Sequence, residues 1–176
     1  MTSNQIITFD ITEELRKLAI KYAKNAEIGG KSQIFTGKER QARLAEDQLI
    51  GQLGEMFGDI LQSGTTEFYI KHREECDENP FKGDGGYDLP GNIDIKCSKM
   101  RYSQDPMKYN LVVRPRERGE GKAYILALVT ADEAKIHLMG QITDQQLEII
   151  GHQDLRFGDA KVVATRHLAP IRRRNG

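Results

Sequence analysis

The chain has 176 residues, 38% of them hydrophobic, which suits one domain built around a single sizeable core. Lysine plus arginine and aspartate plus glutamate each number 26, so the summed charge would not attract a polyanion, and nucleic-acid affinity must come from local patches. No segment has the ~20 apolar residues that cross a bilayer, and the start lacks a secretory signal, so we expect a soluble cytoplasmic protein with no membrane partner.

The pattern of residues also argues against two common kinds of site. The four histidines are scattered, with no pair at the spacing of zinc ligands. The glycine-rich stretch KGDGGYD has no G-K-[ST] ending and opens no helix, which argues against a nucleotide-binding loop. Cys76 and Cys97 form no C-x-x-C pair and are expected to be reduced.

An amphipathic helix is predicted near the N-terminus, in residues 10–30. Asp10 would cap it, Glu13 would complete a capping box three residues later, and Gly29–Gly30 would end it. Its apolar residues fall on one face, namely Leu15, Leu18, Ala19 and Tyr22.

A second, longer helix is predicted over residues 39–63. Apolar residues recur there at three- and four-residue steps, namely Ala42, Ala45, Leu49, Leu53, Met56, Ile60 and Leu61. Gly51, Gly54 and Gly58 remove bulk from one side of this helix. Three interior glycines together cost about 2–3 kcal/mol relative to alanine, which the close approach of a strand, backbone or ligand would offset.

From residue 65 onward the apolar periodicity changes to two, which predicts strands separated by turns. The predicted strands are TTEFYIKH (65–72), GYDL (86–89), NIDIKCS (92–98), NLVVRP (110–115), AYILALV (123–129), KIHLMGQI (135–142) and one within AKVVATRHLAPI (160–171). AYILALV is nearly all apolar, which predicts a central position in the sheet. Thr143 is predicted to cap a short helix, DQQLEIIG.

This order of elements predicts an α+β fold in a single domain over residues 1–176. A mixed central β-sheet would carry the long helix packed on one face, because helices and sheets bury their apolar faces in layers. The core would span residues 39–170. Residues 1–30 would form an N-terminal helical extension, which is a candidate dimer surface.

The segment GYDLPGNIDIKCS, residues 86–98, predicts a hairpin that brings two carboxylates together. Successive strand side chains alternate between faces, so Asp94 and Lys96 share one face while the apolar residues line the other. If Pro90–Asn92 forms a three-residue loop, Asp88 falls opposite Asp94 on the lysine's side. Two carboxylates this close resist joint ionisation unless a cation lies between them.

A divalent metal ion would relieve this repulsion. Mg²⁺ prefers a few carboxylates with water and phosphate oxygens, and Asp88, Asp94 and the backbone carbonyl of Ile95 would make such an open site. Lys96 would orient or deprotonate the attacking water, or stabilise charge on the phosphate. This arrangement fits phosphodiester hydrolysis. The alternative is that Asp94 and Lys96 form an ordinary exposed ion pair, which contributes little stability.

Asp88, followed after a turn by Asp94-Ile95-Lys96, resembles the PD-(D/E)xK signature of the restriction-endonuclease-like nucleases. The resemblance implies a restriction-endonuclease-like core and an endonuclease of DNA that depends on Mg²⁺, for which Mn²⁺ can substitute. It also implies an inward-facing glutamate on the helix before the hairpin, a position that Glu55 fits, where it would join the metal site through water. Tyr87 stands where the signature has its proline, which leaves Asp84 as an alternative first aspartate.

Basic and aromatic residues after the hairpin are candidate contacts to nucleic acid. They are Lys99, Arg101 and Tyr102, just past the predicted catalytic strand, and Arg114, Arg116 and Arg118 in the next charged segment. Contacts of this kind to phosphates position DNA without reading its sequence. A solvated strand end is the alternative interpretation of the first three residues.

Two other classes of function stay open from the sequence. A nucleic-acid-binding module with a degenerate nuclease fold would use the basic segments without cleaving. A protein-interaction domain would have no nucleic-acid role. For the nuclease hypothesis, RNA is not excluded as substrate, and a homodimer is a further expectation because a duplex presents two strands to cut.

Overall fold

The computed structural model describes residues 6–26, 38–78 and 87–173, and these confirm the expected α+β class. The helices are α1 (Glu13–Ala26), α2 (Lys38–Ser63), α3 (Glu67–Glu78) and α4 (Asp144–Ile150). The strands are β1 (Ile7–Asp10), β2 (Ile93–Lys99), β3 (Asn110–Val113), β4 (Ala123–Val129), β5 (Lys135–Thr143), β6 (His152–Asp154) and β7 (Ala160–Ala164). Among the helices in these ranges, none is both long and apolar enough to span a membrane.

A four-stranded mixed sheet forms the centre of the molecule, in the order β1-β5-β4-β2. β5 runs antiparallel to β1 and β4, whereas β2 lies parallel to β4. β4 has a strand on each side and is buried from Tyr124 to Val129, which confirms its predicted central position. The strand that carries Asp94 and Lys96, β2, is therefore an edge strand of this sheet.

Alternate residues of β4 face two separate apolar clusters. Ile125, Ala127 and Val129 pack with residues of α1, α2 and α3. The residues between them pack with a second, antiparallel sheet, in the order β3-β7-β6, and with Leu147 of α4. The central sheet thus lies between a helical layer, which includes the long α2 as expected, and the small sheet.

Two glycines let α2 lie directly on β2. A Cβ atom at Gly54 would lie 2.6 Å from Cβ of Cys97, and one at Gly58 would lie closer still to Cδ1 of Ile95. Real carbon atoms do not approach so closely, so a Cβ at Gly54 would clash with the fixed Cβ of Cys97, whereas a Cβ at Gly58 would force the end of the Ile95 side chain to move. The predicted close packing is confirmed at both, whereas a Cβ at Gly51 would meet nothing within 4 Å.

The N-terminal segment differs from the expectation at its start. Ile7–Asp10 forms β1, which pairs with β5, so the prediction that Asp10 caps a helix is wrong. The cap is Thr12, whose Oγ1 accepts a hydrogen bond from Leu15 N at 3.3 Å. Ala19 and Tyr22 of α1 are buried in the helical-layer cluster, so this segment shares the core of the rest of the chain.

The strand predicted over residues 65–72 is also wrong, because Glu67–Glu78 forms helix α3. Gly64, with a φ of 78°, follows the end of α2, and the chain turns at once into the new helix. Buried Asp59 of α2 caps α3, since its Oδ2 accepts a hydrogen bond from Tyr69 N at 3.0 Å. The residue that caps α3 therefore lies on another helix, and the sequence TTEFYIKH by itself does not reveal this cap.

The strands and the short helix predicted after the hairpin are confirmed near their expected positions, whereas β6 and the 3-10 turns Pro106–Lys108, Pro115–Glu117 and Leu155–Phe157 were not predicted. Thr143 caps α4 as predicted: its Oγ1 accepts a hydrogen bond from Gln146 N at 3.2 Å, and Thr143 N donates to Gln146 Oε1 at 3.1 Å. Cys76 and Cys97 are free thiols, as expected.

Candidate active site

Leu89 and Ile93 pair in antiparallel fashion across the three-residue loop Pro90–Asn92, as expected. Leu89 N donates to Ile93 O at 3.0 Å, and Ile93 N donates to Leu89 O at 3.4 Å. Gly91 and Asn92 have φ values of 87° and 61°, a region that glycine and asparagine tolerate best. Within the described part of GYDL only Leu89 pairs in this way, so the strand predicted there is wrong.

The loop brings the carboxyl groups of Asp88 and Asp94 together. Asp88 is only 9% exposed, its Oδ2 accepts a hydrogen bond from Ile95 N at 2.6 Å, and its carboxyl group is within hydrogen-bonding reach of Asp94. Burial, the charge of Glu55 and the contact with Asp94 raise the pKa of Asp88 well above its ordinary value. Ionisation of Asp88 is therefore disfavoured in the folded protein, and a bound cation would favour it. Asp84, the alternative first aspartate, lies outside the described residues.

The backbone of Ile95 faces the same place. The N–H and C=O of one strand residue point to the same edge of the strand. Because the N–H of Ile95 donates to Asp88, its carbonyl is also directed to the hairpin edge of β2, away from β4. The Ile95 carbonyl therefore lies at the edge where the sequence predicts that it would bind a divalent metal ion.

The amine of Lys96 lies between two carboxylates. Nζ is 2.9 Å from Oδ2 of Asp94 and 3.2 Å from Oε1 of Glu117, and the side chain is 20% exposed. Burial opposes the charged form, but the charges of Asp94 and Glu117 outweigh it and raise the pKa of Lys96. Lys96 is therefore an ammonium ion that is directed at the carboxylates of Asp94 and Glu117 rather than at bulk solvent.

Glu117 is a residue of this cluster that the sequence reasoning missed. It ends the 3-10 turn Pro115–Glu117, and its Oε2 accepts a hydrogen bond from Arg114 N at 2.8 Å. Burial opposes ionisation, but this hydrogen bond and the charge of Lys96 lower the pKa of Glu117. It lies in a charged loop between β3 and β4, and no spacing in the sequence connects it with Lys96.

Glu55 of α2 comes close to the aspartate pair, where Arg73 of α3 neutralises it. The Glu55 carboxylate and the Arg73 guanidinium form an ion pair, and both side chains are largely buried. Burial opposes the charge of Arg73, but Glu55, Cys76 and Asp88 together raise its pKa. The contribution of Arg73 was missed because residues 65–72 were predicted as a strand and Arg73 was placed in the polar connection after it.

The donors at the hairpin suit a hard divalent cation that keeps much of its water. Asp88 and Asp94 offer two carboxylates, and Mg²⁺ needs only one or two together with water and substrate phosphate. Across the part of the chain that the structure describes, no group of three or more Asp, Glu, His or Cys side chains is placed to hold a metal ion. Glu55 forms an ion pair with Arg73, and its contact with a metal ion through water stays a prediction.

Two of the predicted nucleic-acid contacts bind carboxylates of the protein. Lys99 Nζ lies 2.6 Å from Glu46 and 2.9 Å from Glu133. Arg101 lies 2.7 Å from Glu46 and 3.1 Å from Asp47. Both cations are therefore compensated within the molecule.

The other four predicted contacts have different surroundings. Arg118 forms ion pairs with Asp144 and Glu148 of α4, whereas Arg114 and Arg116 are exposed. Tyr102 is 73% exposed, and its ring stacks on the buried ring of Tyr109 with 4.3 Å between centroids. Arg114, Arg116 and Tyr102 are thus the members of the predicted set that are open to a partner.

The candidate cluster comprises Asp88 and Asp94 at the hairpin, Lys96 between Asp94 and Glu117, and Glu55 of α2, whose charge acts on Asp88. Comparison of the chain with family models, with curated proteins and with solved structures finds no match. The chemistry of the cluster is therefore inferred from its residues and their geometry.

Proposed function

We propose that this chain is a metal-dependent endonuclease that hydrolyses phosphodiester bonds in DNA, with a core of the restriction-endonuclease-like PD-(D/E)xK type. One observation carries the proposal: the carboxyl groups of Asp88 and Asp94 meet behind a tight loop, with the Lys96 amine 2.9 Å from Asp94. Like charges gathered in this way, with a strongly shifted pKa, are typical of functional sites.

Asp88 and Asp94 would hold Mg²⁺ or Mn²⁺, assisted by the carbonyl of Ile95. When bound, such an ion supplies a water of lowered pKa and neutralises charge on the phosphate. Lys96, held as an ammonium ion, would donate hydrogen bonds to the phosphate oxygens and stabilise the charge that develops on them. Of the roles considered for Lys96, orientation and charge stabilisation therefore fit better than proton removal.

The packing of α2 supports the same proposal. Gly54 and Gly58 seat this helix on β2, so Glu55 is carried to the side of the hairpin. Glu55 would reach the metal through water and keep its ion pair with Arg73. The order of a glutamate-bearing helix, an aspartate hairpin and a D-x-K strand is the order that the PD-(D/E)xK resemblance implies.

DNA would approach along the exposed Arg114 and Arg116, which precede Glu117, the ion-pair partner of Lys96, in the same turn. Each phosphate contact adds about one unit to the salt dependence of binding. Tyr102 offers an open aromatic face to a base. Lys99, Arg101 and Arg118 are already paired with carboxylates of the protein, so we expect little contribution from them to DNA binding. A homodimer would direct two such sites at the two strands of a duplex.

Purified protein incubated with supercoiled plasmid, branched DNA, single-stranded DNA and RNA, with Mg²⁺ or with a chelator, tests the proposal. We expect cleavage of at least one DNA substrate that requires the metal and is lost in Asp88→Asn and Asp94→Asn. Asp47→Asn, which changes an exposed aspartate outside the cluster, is the matched control and should cleave normally. Cleavage that survives both site variants would exclude this site.

A nucleic-acid-binding module with a degenerate nuclease fold is the second candidate. It is favoured by the finding that no three metal-ligating side chains converge within the described ranges. Titration calorimetry with Mn²⁺ separates the two functions. The nuclease requires binding that Asp88→Asn removes, whereas the binding module predicts salt-dependent DNA binding without a specific metal site.

A further inference from the structure

The Lys96 amine has a second anchor that does not belong to the D-x-K strand. Asp94, two residues away on β2, holds Nζ from one side at 2.9 Å. Glu117, from the loop between β3 and β4, holds it from another at 3.2 Å. A lysine side chain has four rotatable bonds, so a single partner leaves the amine free to swing. Two partners on separate elements confine it.

The Glu117 carboxylate is itself fixed in place. Its second oxygen accepts a hydrogen bond from Arg114 N at 2.8 Å, which closes the turn that begins at Pro115. The next residue, Arg118, donates to both carboxylate oxygens of Asp144 on α4, at 3.1 and 3.0 Å. The turn is therefore tied to α4 and cannot shift without breaking these bonds.

Tyr124 of β4 completes the support. Its hydroxyl donates a hydrogen bond to Asp144 at 2.7 Å, and its ring is fully buried beside β2 in the central sheet. The path from Tyr124 through Asp144, Arg118 and Glu117 thus ends at the Lys96 amine. Such a chain of hydrogen-bonded groups restricts the positions that the last side chain in it can take, here that of Lys96.

We propose that Glu117 is a positioning residue that fixes the Lys96 amine at the hairpin, an inference that rests on the nuclease function proposed above. Glu117 acts through Lys96 and contacts neither metal nor DNA. The second anchor matters when a cation binds Asp94, because the cation competes with Lys96 for that carboxylate and repels the amine. Glu117 then keeps Lys96 in the site.

Glu117→Gln and Glu117→Ala, with Glu120→Gln as a matched control, test this inference. Glu120 is an exposed glutamate of the same loop. We expect kcat for DNA cleavage to fall about tenfold to 100-fold in both Glu117 variants with KM unchanged, because small displacements of a reacting group have effects of this size. The control should match the wild type. Circular dichroism confirms the fold, and if Glu117→Ala does not fold, Glu117→Gln decides.

A second readout does not depend on cleavage. Acetylation of Lys96 by an amine-reactive reagent, followed by mass spectrometry, measures how firmly the amine is held. We expect acetylation to be several-fold faster in Glu117→Gln than in the wild type or the control. If the wild type does not cleave DNA but this difference is found, the nuclease proposal fails and the anchoring of Lys96 stands.

Three results would overturn the assignment of Glu117. Unchanged acetylation of Lys96 in Glu117→Gln would show that Glu117 does not hold the amine. A change in KM for DNA with kcat preserved would make Glu117 a substrate contact. A weaker affinity for Mn²⁺ in calorimetry would make it a metal ligand.

Discussion

The two ends of strand β2 arrange charge in opposite ways. At the C-terminal end the ion pairs alternate in sign along the path Arg16–Glu133–Lys99–Glu46–Arg101–Asp47. At the N-terminal end the charges of Glu55 and Asp94 both act on the buried Asp88. The first arrangement is balanced without any further group, whereas the second concentrates negative charge.

This difference separates a structural network from a functional site. Hydrogen bonds from Lys99 and Arg101 lower the pKa of Glu46 to about 2, so the folded state favours its charged form. Burial and neighbouring acids raise the pKa of Asp88, so the folded state disfavours its charge. A protein gains stability from the first and loses it from the second, which is the expected cost of a preformed cation site.

The largest expected effect separates two lysines of the same strand. We expect Lys96→Ala to lower metal-dependent cleavage at least about 100-fold, because it removes a charge placed to stabilise the transition state. Lys99→Ala, the matched control, should leave cleavage within a few-fold of the wild type, since Lys99 is compensated by Glu46 and Glu133. Single-turnover assays check both. Equal losses of cleavage in the two variants would show that the two ends of β2 do not differ in function.

The next effect concerns the packing that joins the strand to α2. Gly54→Ala should destabilise the protein by about 1–3 kcal/mol, because the new Cβ would overlap Cβ of Cys97, an atom that cannot rotate away. Gly51→Ala has open space and should be neutral or stabilising by up to about 1 kcal/mol, from helix propensity. Urea unfolding measures both. A stable Gly54→Ala would mean that α2 does not press on β2.

The fold was predictable from the sequence where local pattern and final structure agree. The Pro90–Asn92 loop, the Thr143 cap and the apolar β4 depend on residues close in sequence, and all three are present. Helix α3 was not predictable, because Asp59 caps it from another helix. The short β1 exists through its pairing with β5, and nothing in its own four residues requires a strand.

The candidate site divides in the same way. Alternation along β2 and the short loop predicted that Asp88, Asp94 and Lys96 would come together. Glu117 and Arg73 join them through tertiary contacts. Such contacts produce no periodic pattern in the sequence, so neither residue could be predicted from its own segment. The compensation of Lys99 and Arg101 by α2 was invisible for the same reason, because a count of basic residues does not reveal their partners.

A smaller effect concerns stability at the hairpin end. Because the pKa of Asp88 is higher in the folded than in the unfolded state, the folded state binds more protons than the unfolded chain between these two pKa values. Without metal, stability should therefore fall as pH rises from about 4, the unfolded aspartate pKa, through the folded-state pKa. Asp88→Asn removes this fall and should raise Tm at pH 7, and under the proposed function it should also abolish metal binding.

Calorimetric scans of wild type and Asp88→Asn in chelator, at several pH values, check the sign. The Asn side chain can still accept the hydrogen bond from Ile95 N, so the variant isolates the charge. A lower Tm for Asp88→Asn at pH 7 would contradict the view that this carboxylate is held at a cost.

The smallest effect has the opposite sign and lies at the other end of the strand. Since the pKa of Glu46 is lowered to about 2, its contribution to stability is fully present above the unfolded glutamate pKa of about 4.3, and is lost as the pH falls toward 2. Its ion pairs are partly exposed and screened, so Glu46→Gln should cost only about 0.5–1 kcal/mol at pH 7, and less in 1 M salt. Cleavage should be unchanged. Denaturant unfolding at pH 7 and pH 3, with and without salt, tests this prediction. If Glu46→Gln were more stable than the wild type, or cleaved DNA less well, the two ends of β2 would not be distinct.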